Sequence, residues 1–376
     1  MANGERPAVG ATCSAEVSAG LRGDIMKMRG LYLLCSESYD LVYGRAERER
    51  IAQLVDVCAA PQTAESVQKN PAVLADAEII FSGWGMPLVD DAFLDNAPHL
   101  RAIFYAAGTV GFWAARTPER GVVITSAQHA NAVPVAEYAL ATILFSLKHG
   151  WRLARQTRAA RTFVARNDVP GCYRRTVGLI SLGVIARLLI ERLRPFDLHV
   201  LVYDPFLSDA EAQELGVERA SLDELFRRSD VTSLHTPSLP ETQRIITGDH
   251  FASMPPGATF INTARGEIVR EEEMIDLAMA RPDLQFVLDV TFPEPPGPQS
   301  PLYTLPNVVL TPHIAGSAGP ECQRMGRYMV EELERYVAGR PLQWQVTPPA
   351  RNSSHHKVAS RGAKDQVEAG HVRLLA

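Results

Sequence analysis

Short apolar runs of strand length recur along the first third of the chain, at residues 31–34, 78–81, 102–105 and 122–124, separated by stretches of helical period such as 45–57. This alternation predicts a parallel sheet with helices on its faces. At Asn131-Ala132-Val133-Pro134-Val135-Ala136-Glu137-Tyr138 the pattern changes to a long helix, with Pro134 assigned to the first turn, where it has no hydrogen bond to lose. The same rhythm then resumes, with strands expected at 177–182, 198–203, 231–234, 258–262, 286–289 and 308–310. Six such strands suit a dinucleotide-binding sheet, and a helix-rich stretch at 321–337 follows.

A chain of 376 residues, 46% of them hydrophobic, is long enough for two compact domains and too long for one ordinary core. Two domains imply a cleft. The formal net charge of -5 and pI near 6.1 speak against a nucleic-acid surface, and the longest apolar stretch, around 139–147, is too short to cross a bilayer. The chain therefore reads as soluble, with no nucleic-acid or membrane partner. Cys13, Cys35, Cys58, Cys172 and Cys322 lie far apart without paired spacing, which suggests neither disulfides nor zinc and fits reduced thiols in the cytoplasm. Residues 1–27 read as a flexible leader lacking the apolar core of a signal peptide, and 347–376 as a polar, flexible tail. His355 and His356 in that tail have no third ligand nearby, so no metal is expected.

The segment 177–186 has the strand, turn and helix start on which a pyrophosphate rests, at Ser181, Gly183, Val184 and Ile185. Ser181 stands where the motif usually has its first glycine, and Ala186 where it has its third. Asp204 lies 21 residues beyond Gly183, the spacing at which an acid accepts the ribose hydroxyls of NAD and repels the 2′-phosphate of NADP. The plainer alternative is that Asp204-Pro205 only makes a turn.

Three further segments each follow an apolar run: Ile261-Asn262-Thr263-Ala264-Arg265-Gly266, then Leu288-Asp289-Val290-Thr291-Phe292-Pro293-Glu294-Pro295, then Leu310-Thr311-Pro312-His313-Ile314-Ala315-Gly316-Ser317. As outlets of buried strands they are expected to converge on one crevice. Reduction of a 2-keto acid needs a cation for the carboxylate, a proton donor for the carbonyl oxygen and a placed hydride. Arg265 offers a planar fork for carboxylate and ketone. His313 can donate the proton, and Glu294 can hold its tautomer and favour its charged form. Each residue taken singly has a bland reading, as a surface ion pair, a turn carboxylate or a loop histidine; their order and neighbours favour the chemical one.

In these motifs the chain, from about 31 to 346, resembles the D-isomer-specific 2-hydroxyacid dehydrogenases, which include phosphoglycerate dehydrogenase and D-lactate dehydrogenase. The resemblance implies an α/β fold of two Rossmann-like or flavodoxin-like parallel-sheet domains. The NAD-binding domain, 131–313, would be inserted into a substrate domain of 28–130 plus 314–346, with hinge crossings near 130 and 314. It implies that Asp289 binds the nicotinamide carboxamide, that Thr263 and Ala264 line the cofactor site, and that His235 and Thr236 pass the adenosine, His235 as a wall or structural residue. It implies too that Ala107 and Gly108 cradle the substrate carboxylate and that the loop of Trp84 faces the cleft, Trp84 itself either walling the pocket or packing in the core. Val110-Gly111-Phe112-Trp113 departs from the polar segment with aspartate found in many relatives, which leaves the substrate's identity open. The expected function is NAD(H)-dependent interconversion of a D-2-hydroxy acid and its 2-keto acid by a homodimer. The alternative is a dinucleotide-sensing interaction protein like the C-terminal-binding-protein corepressors.

Overall fold

A computed structural model of the chain describes residues 27–347. Apart from Lys27 and Thr347, the expected leader and tail, with His355 and His356, lie outside the described residues. Strands β1 (Arg29–Leu33), β2 (Asp56–Val57), β3 (Ile79–Ser82), β4 (Ala102–Tyr105) and β5 (Val123–Ser126) form a first parallel sheet. Strands β6 (Arg175–Ile180), β7 (Leu198–Tyr203), β8 (Glu218–Arg219), β9 (Val231–Leu234), β10 (Thr259–Asn262), β11 (Gln285–Leu288) and β12 (Val308–Leu310) form a second. The first sheet is completed by β13 (Gln345–Val346), antiparallel to β5, in the order β13-β5-β4-β3-β1-β2. The second, all parallel, runs β12-β11-β10-β9-β6-β7-β8. Its strand order reverses between β6 and β9, the switch point at which an open α/β sheet leaves a crevice at its carboxyl edge.

The central strands β9, β10 and β11 are buried at every position, as strands covered by helices on both faces must be. Phe226, Phe251, Phe260 and Phe286 pack edge-on and stacked in the core of this sheet. The chain returns to the first sheet through the helix Cys322–Val337, whose Met325, Met329 and Leu333 share one face and join the core that holds Tyr43, Phe81 and Phe104. Full burial of each such side chain contributes about 1.5–3 kcal/mol. Gly326 lets this helix approach closely: a Cβ there would lie 2.1 Å from the Val42 carbonyl oxygen. Glu332, wholly buried, accepts from the N–H groups of Gln343 and Trp344 and so docks β13.

Three expectations need correction. The long helix is Gln128–Ser146, beginning one turn before Asn131, so Pro134 lies inside it and the Ala130 carbonyl loses its helical donor. The early start follows from the tight exit of β5, where the Ala127 N–H bonds the Tyr105 carbonyl and leaves no room for a longer loop. The helix expected at 45–57 ends at Leu54 and yields to β2. The second sheet has seven strands, because Glu218–Arg219 adds a two-residue edge too short to leave a period of its own.

The helix Gln128–Ser146 serves both cores, with Ala130 in the first and Ala136, Ala139 and Ile143 in the second. Where the chain crosses back, the Ser317 N–H donates to Asn131 Oδ1 at 2.9 Å, tying the two crossings together.

Candidate active site

All candidate residues of the second sheet follow carboxyl ends of parallel strands, which brings them to one edge. After β6 the backbone turns through Ser181 at φ 74°, a left-handed conformation that glycine adopts without strain and serine does not. The Ser181 hydroxyl is 2.8 Å from that of Thr236, beyond β9. Gly183 then caps the helix Val184–Leu193 with no side-chain cap, and a Cβ at Gly183 would meet nothing within 4 Å. Open helix N–H groups with clear backbone access suit a phosphate.

Asp204 ends β7 as the organiser of this turn. Its carboxylate accepts from Leu182 N–H and Phe206 N–H, both at 2.8 Å, so the turn expected as its plain alternative is present. Each oxygen keeps a second acceptor site. His235 is buried, and burial lowers its pKa to about 4; it stands as a neutral ring 3.0 Å from the Ser233 hydroxyl. The Thr263 hydroxyl is buried and makes no hydrogen bond among the described residues.

The loop after β10 is held by Asn262, whose side chain accepts from Ala264 N–H at 3.0 Å and donates to the Arg265 carbonyl at 3.1 Å. Gly266 permits this loop to touch the next one, since a Cβ there would sit 2.1 Å from the Thr291 carbonyl carbon. Arg265 is extended, donates to the Ala264 carbonyl at 2.6 Å, and has no carboxylate at ion-pair distance among the described residues. Its charge reaches Tyr105 at the end of β4: burial pushes that phenol up to about 12, and the Arg265 cation opposes the rise.

His313 has φ 53°, and its Nδ1 lies 2.6 Å from Glu294 Oε1, both side chains being part-exposed. The loop that carries it is built around Asp289, which is only 2% exposed. Asp289 accepts from the Thr311 hydroxyl at 2.6 Å, from Ile314 N–H at 2.8 Å and from Ala315 N–H at 2.9 Å, while its own carbonyl accepts from His313 N–H at 3.0 Å. Because Thr311 donates to Asp289, the Tyr138 hydroxyl 3.0 Å away must donate to Thr311. Asp289, expected toward the nicotinamide, thus has three donors from the His313 loop on its carboxylate.

On the first sheet, Ala107 is buried and Gly108 part-buried, and the Ser126 hydroxyl donates to the Gly108 carbonyl at 2.5 Å. The N–H groups of Ala107, Gly108 and Thr109 find no acceptor among the described residues. Trp84 is half-buried against the first core, and its carbonyl accepts from Cys35 N–H at 2.8 Å. Tyr105 and Trp113, with ring centroids 5.0 Å apart, pack against the other core of this sheet.

Tyr105 and the roles of Asn131 and Tyr138 lie beyond what the motifs indicate. A signal for the last two existed: polar residues seven apart in an otherwise Ala- and Val-rich helix share one face. No group of metal-ligating side chains and no single helix long and apolar enough to cross a membrane occurs among the described residues.

Residues 140–315 match the family model described as D-isomer specific 2-hydroxyacid dehydrogenase, NAD binding domain. The chain is 33% identical over 269 residues to a D-3-phosphoglycerate dehydrogenase of Mycobacterium leprae (strain TN), covering 70% of this chain and 50% of that protein. It is 28% identical over 279 residues to a glyoxylate reductase of Korarchaeum cryptofilum (strain OPF8), covering 73% of this chain and 82% of that one. The crystal structure of a glyoxylate reductase from Paecilomyes thermophila shares the fold, with a TM-score of 0.69 over 86% of this chain and 99% of that one at 23% identity. The chain spans about half the length of the curated phosphoglycerate dehydrogenases it matches.

Proposed function

The chain belongs to the D-isomer-specific 2-hydroxyacid dehydrogenase family through its NAD-binding domain, and on that premise we propose that it interconverts a D-2-hydroxy acid and its 2-keto acid. The bound nicotinamide supplies or takes the hydride. Gly183, Val184 and Ile185 would hold the pyrophosphate with helix N–H groups, and Asp204 would take the ribose hydroxyls on its remaining acceptor sites. Thr236, Thr263, Ala264 and Asp289 would border the remainder of the cofactor, with neutral His235 and Ser181 as wall and turn.

Arg265 binds the substrate carboxylate and polarises its ketone, a task for which a guanidinium without a carboxylate partner among the described residues is available. The free N–H groups of Ala107 and Gly108 complete the carboxylate's cradle, and Trp84 walls the cleft. In reduction His313 gives a proton to the carbonyl oxygen from Nε2, because Nδ1 is committed to Glu294; in oxidation it takes that proton back. The observation that most supports this reading is the 2.6 Å contact of His313 with Glu294, at the same sheet edge as Arg265, which has no carboxylate partner among the described residues.

The test is NADH oxidation by the purified full chain over 2-keto acids of graded size and charge. At least one should be reduced, and His313→Ala should lower its rate by roughly 10²–10⁴-fold. Failure with every keto acid, or a His313→Ala variant of parental rate, overturns the proposal.

A homodimer built on the helix Gln128–Ser146 and the segment after it accords with exposed Phe145, Phe163 and Tyr173 and with a helix, Gly150–Ala160, that buries none of its residues. Free thiols at Cys35, Cys58, Cys172 and Cys322 support a reducing place of work, the cytoplasm.

A further inference from the structure

Two loops leave the first sheet at its carboxyl edge, residues 83–90 after β3 and 106–113 after β4, the second of them carrying the cradle at Ala107 and Gly108. They are joined into one wall: Ala106 N–H donates to the Ser82 carbonyl and Val89 N–H to the Trp113 carbonyl, both at 2.8 Å. Asn131 ties this wall to the His313 loop. A Cβ at Gly108 would lie 3.7 Å from its amide nitrogen and one at Gly316 would lie 3.3 Å from its amide oxygen, which also accepts from Ser317 N–H. Resting on the dehydrogenase reading of this site, we infer that the substrate is a 2-keto acid with an uncharged, apolar side chain, and that phosphorylated and dicarboxylic acids are rejected.

Charge excludes a second anionic group. Across the strand outlets 34–38, 83–90, 106–113, 263–266, 289–295 and 311–318 the basic residues are Arg265 and His313. The substrate carboxylate takes the first and the ketone oxygen the second, so a further anion meets no cation there. Arg116, just beyond the wall, is paired with Asp91 and Glu119, and Arg101, at the other end of β4, with Glu78. The helices Ser36–Val42 and Asp91–Asn96, which open beside the wall, carry Glu37 and Asp91 in their first turns, and Asp90 caps the second. Their positive ends are thereby already answered. A phosphate or second carboxylate drawn into the cleft would leave water without compensation.

What the loops offer instead is apolar surface. Trp84 and Met86 are half-buried, and Leu88 is 54% exposed. On the loops of the second sheet, Phe292, two residues before Glu294, is 59% exposed, and Ile314, next to His313, is 47% exposed. Single exposed apolar side chains are ordinary on a protein surface, but these stand beside the two residues that handle the proton. Covering such surface with the aliphatic or aromatic part of a substrate strengthens binding about fourfold for each methylene buried. Val110-Gly111-Phe112-Trp113, without a charged residue, accords with the same preference.

The test compares ketoisocaproate and phenylpyruvate with phosphohydroxypyruvate and 2-ketoglutarate as substrates for NADH oxidation by the full chain. The better of the apolar acids should exceed both doubly anionic ones in kcat/KM by at least about 100-fold. Trp84→Arg should narrow that gap at least about tenfold by supplying a cation, and Leu88→Arg, which replaces an exposed side chain and spares the core, should act in the same direction; unchanged NADH affinity marks an intact fold. Calorimetric binding of the same acids to the NADH-loaded His313→Ala protein separates this inference from the reading beneath it. Tighter binding of an apolar acid, with no acid reduced by the parent, sinks the dehydrogenase reading alone and upholds the ligand class. Phosphohydroxypyruvate or 2-ketoglutarate reduced or bound as well as the apolar acids, binding of none of the four, or a gap that neither arginine variant moves, overturns the inference.

Discussion

Replacing Asp289 by asparagine probes what holds the His313 loop. The carboxylate takes Thr311 Oγ1, Ile314 N–H and Ala315 N–H in a site that is 2% exposed. An amide can keep one oxygen facing Thr311 and Ile314, but its NH₂ then meets the Ala315 N–H, donor against donor. Losing one hydrogen bond to a buried charge costs about 1.5–3 kcal/mol, and the two that remain weaken as the acceptor becomes neutral. A total of about 3 kcal/mol in a domain of this size lowers the melting temperature by on the order of 5–10 °C. His313, whose N–H rests on the Asp289 carbonyl and whose φ is 53°, shifts with its loop. A displacement of about 1 Å reduces turnover roughly 100-fold. Differential scanning calorimetry and steady-state kinetics on the same preparation measure both. NADH affinity should change by less than about threefold, because the carboxylate's work lies in the loop. A variant that melts within about 1 °C of the parent yet binds NADH much more weakly would refute the reasoning and return Asp289 to direct cofactor contact.

Arg265→Lys should raise KM for the keto acid and lower kcat about tenfold or more, with NADH affinity nearly unchanged, as a point charge replaces the fork; steady-state kinetics would show it. NADH should be used in preference to NADPH, and Asp204→Ser should narrow the gap, with some loss of stability from the freed Leu182 and Phe206 N–H groups; kcat/KM for both cofactors checks this. His235 has a folded pKa of about 4 against the ordinary histidine value of 6.5, so the unfolded chain takes up its proton first as pH falls. Stability attributable to this residue is therefore intact above about pH 6.5 and falls by about 3 kcal/mol on the way to pH 4. Denaturant melts should give His235→Gln a flatter acid limb over that window.

The local pattern was enough for what depends on neighbours in sequence. Ala102–Tyr105, Leu198–Tyr203, Val231–Leu234 and Val308–Leu310 stand at the residues expected, because short β-rich runs between helical and turn stretches mark strands from local sequence alone. Order along the chain also carried the α/β architecture and the gathering of Arg265, Glu294 and His313 at strand outlets. The two-residue strands β2, β8 and β13 left no trace, since they are edges fixed by their partners, β13 by the buried Glu332. Pro134 was misplaced because its tolerance inside a helix depends on packing between two cores, where burial outweighs one lost hydrogen bond. The Tyr138–Thr311–Asp289 chain joins groups 173 and 22 residues apart, and which donors fill a buried carboxylate is settled only when those loops meet.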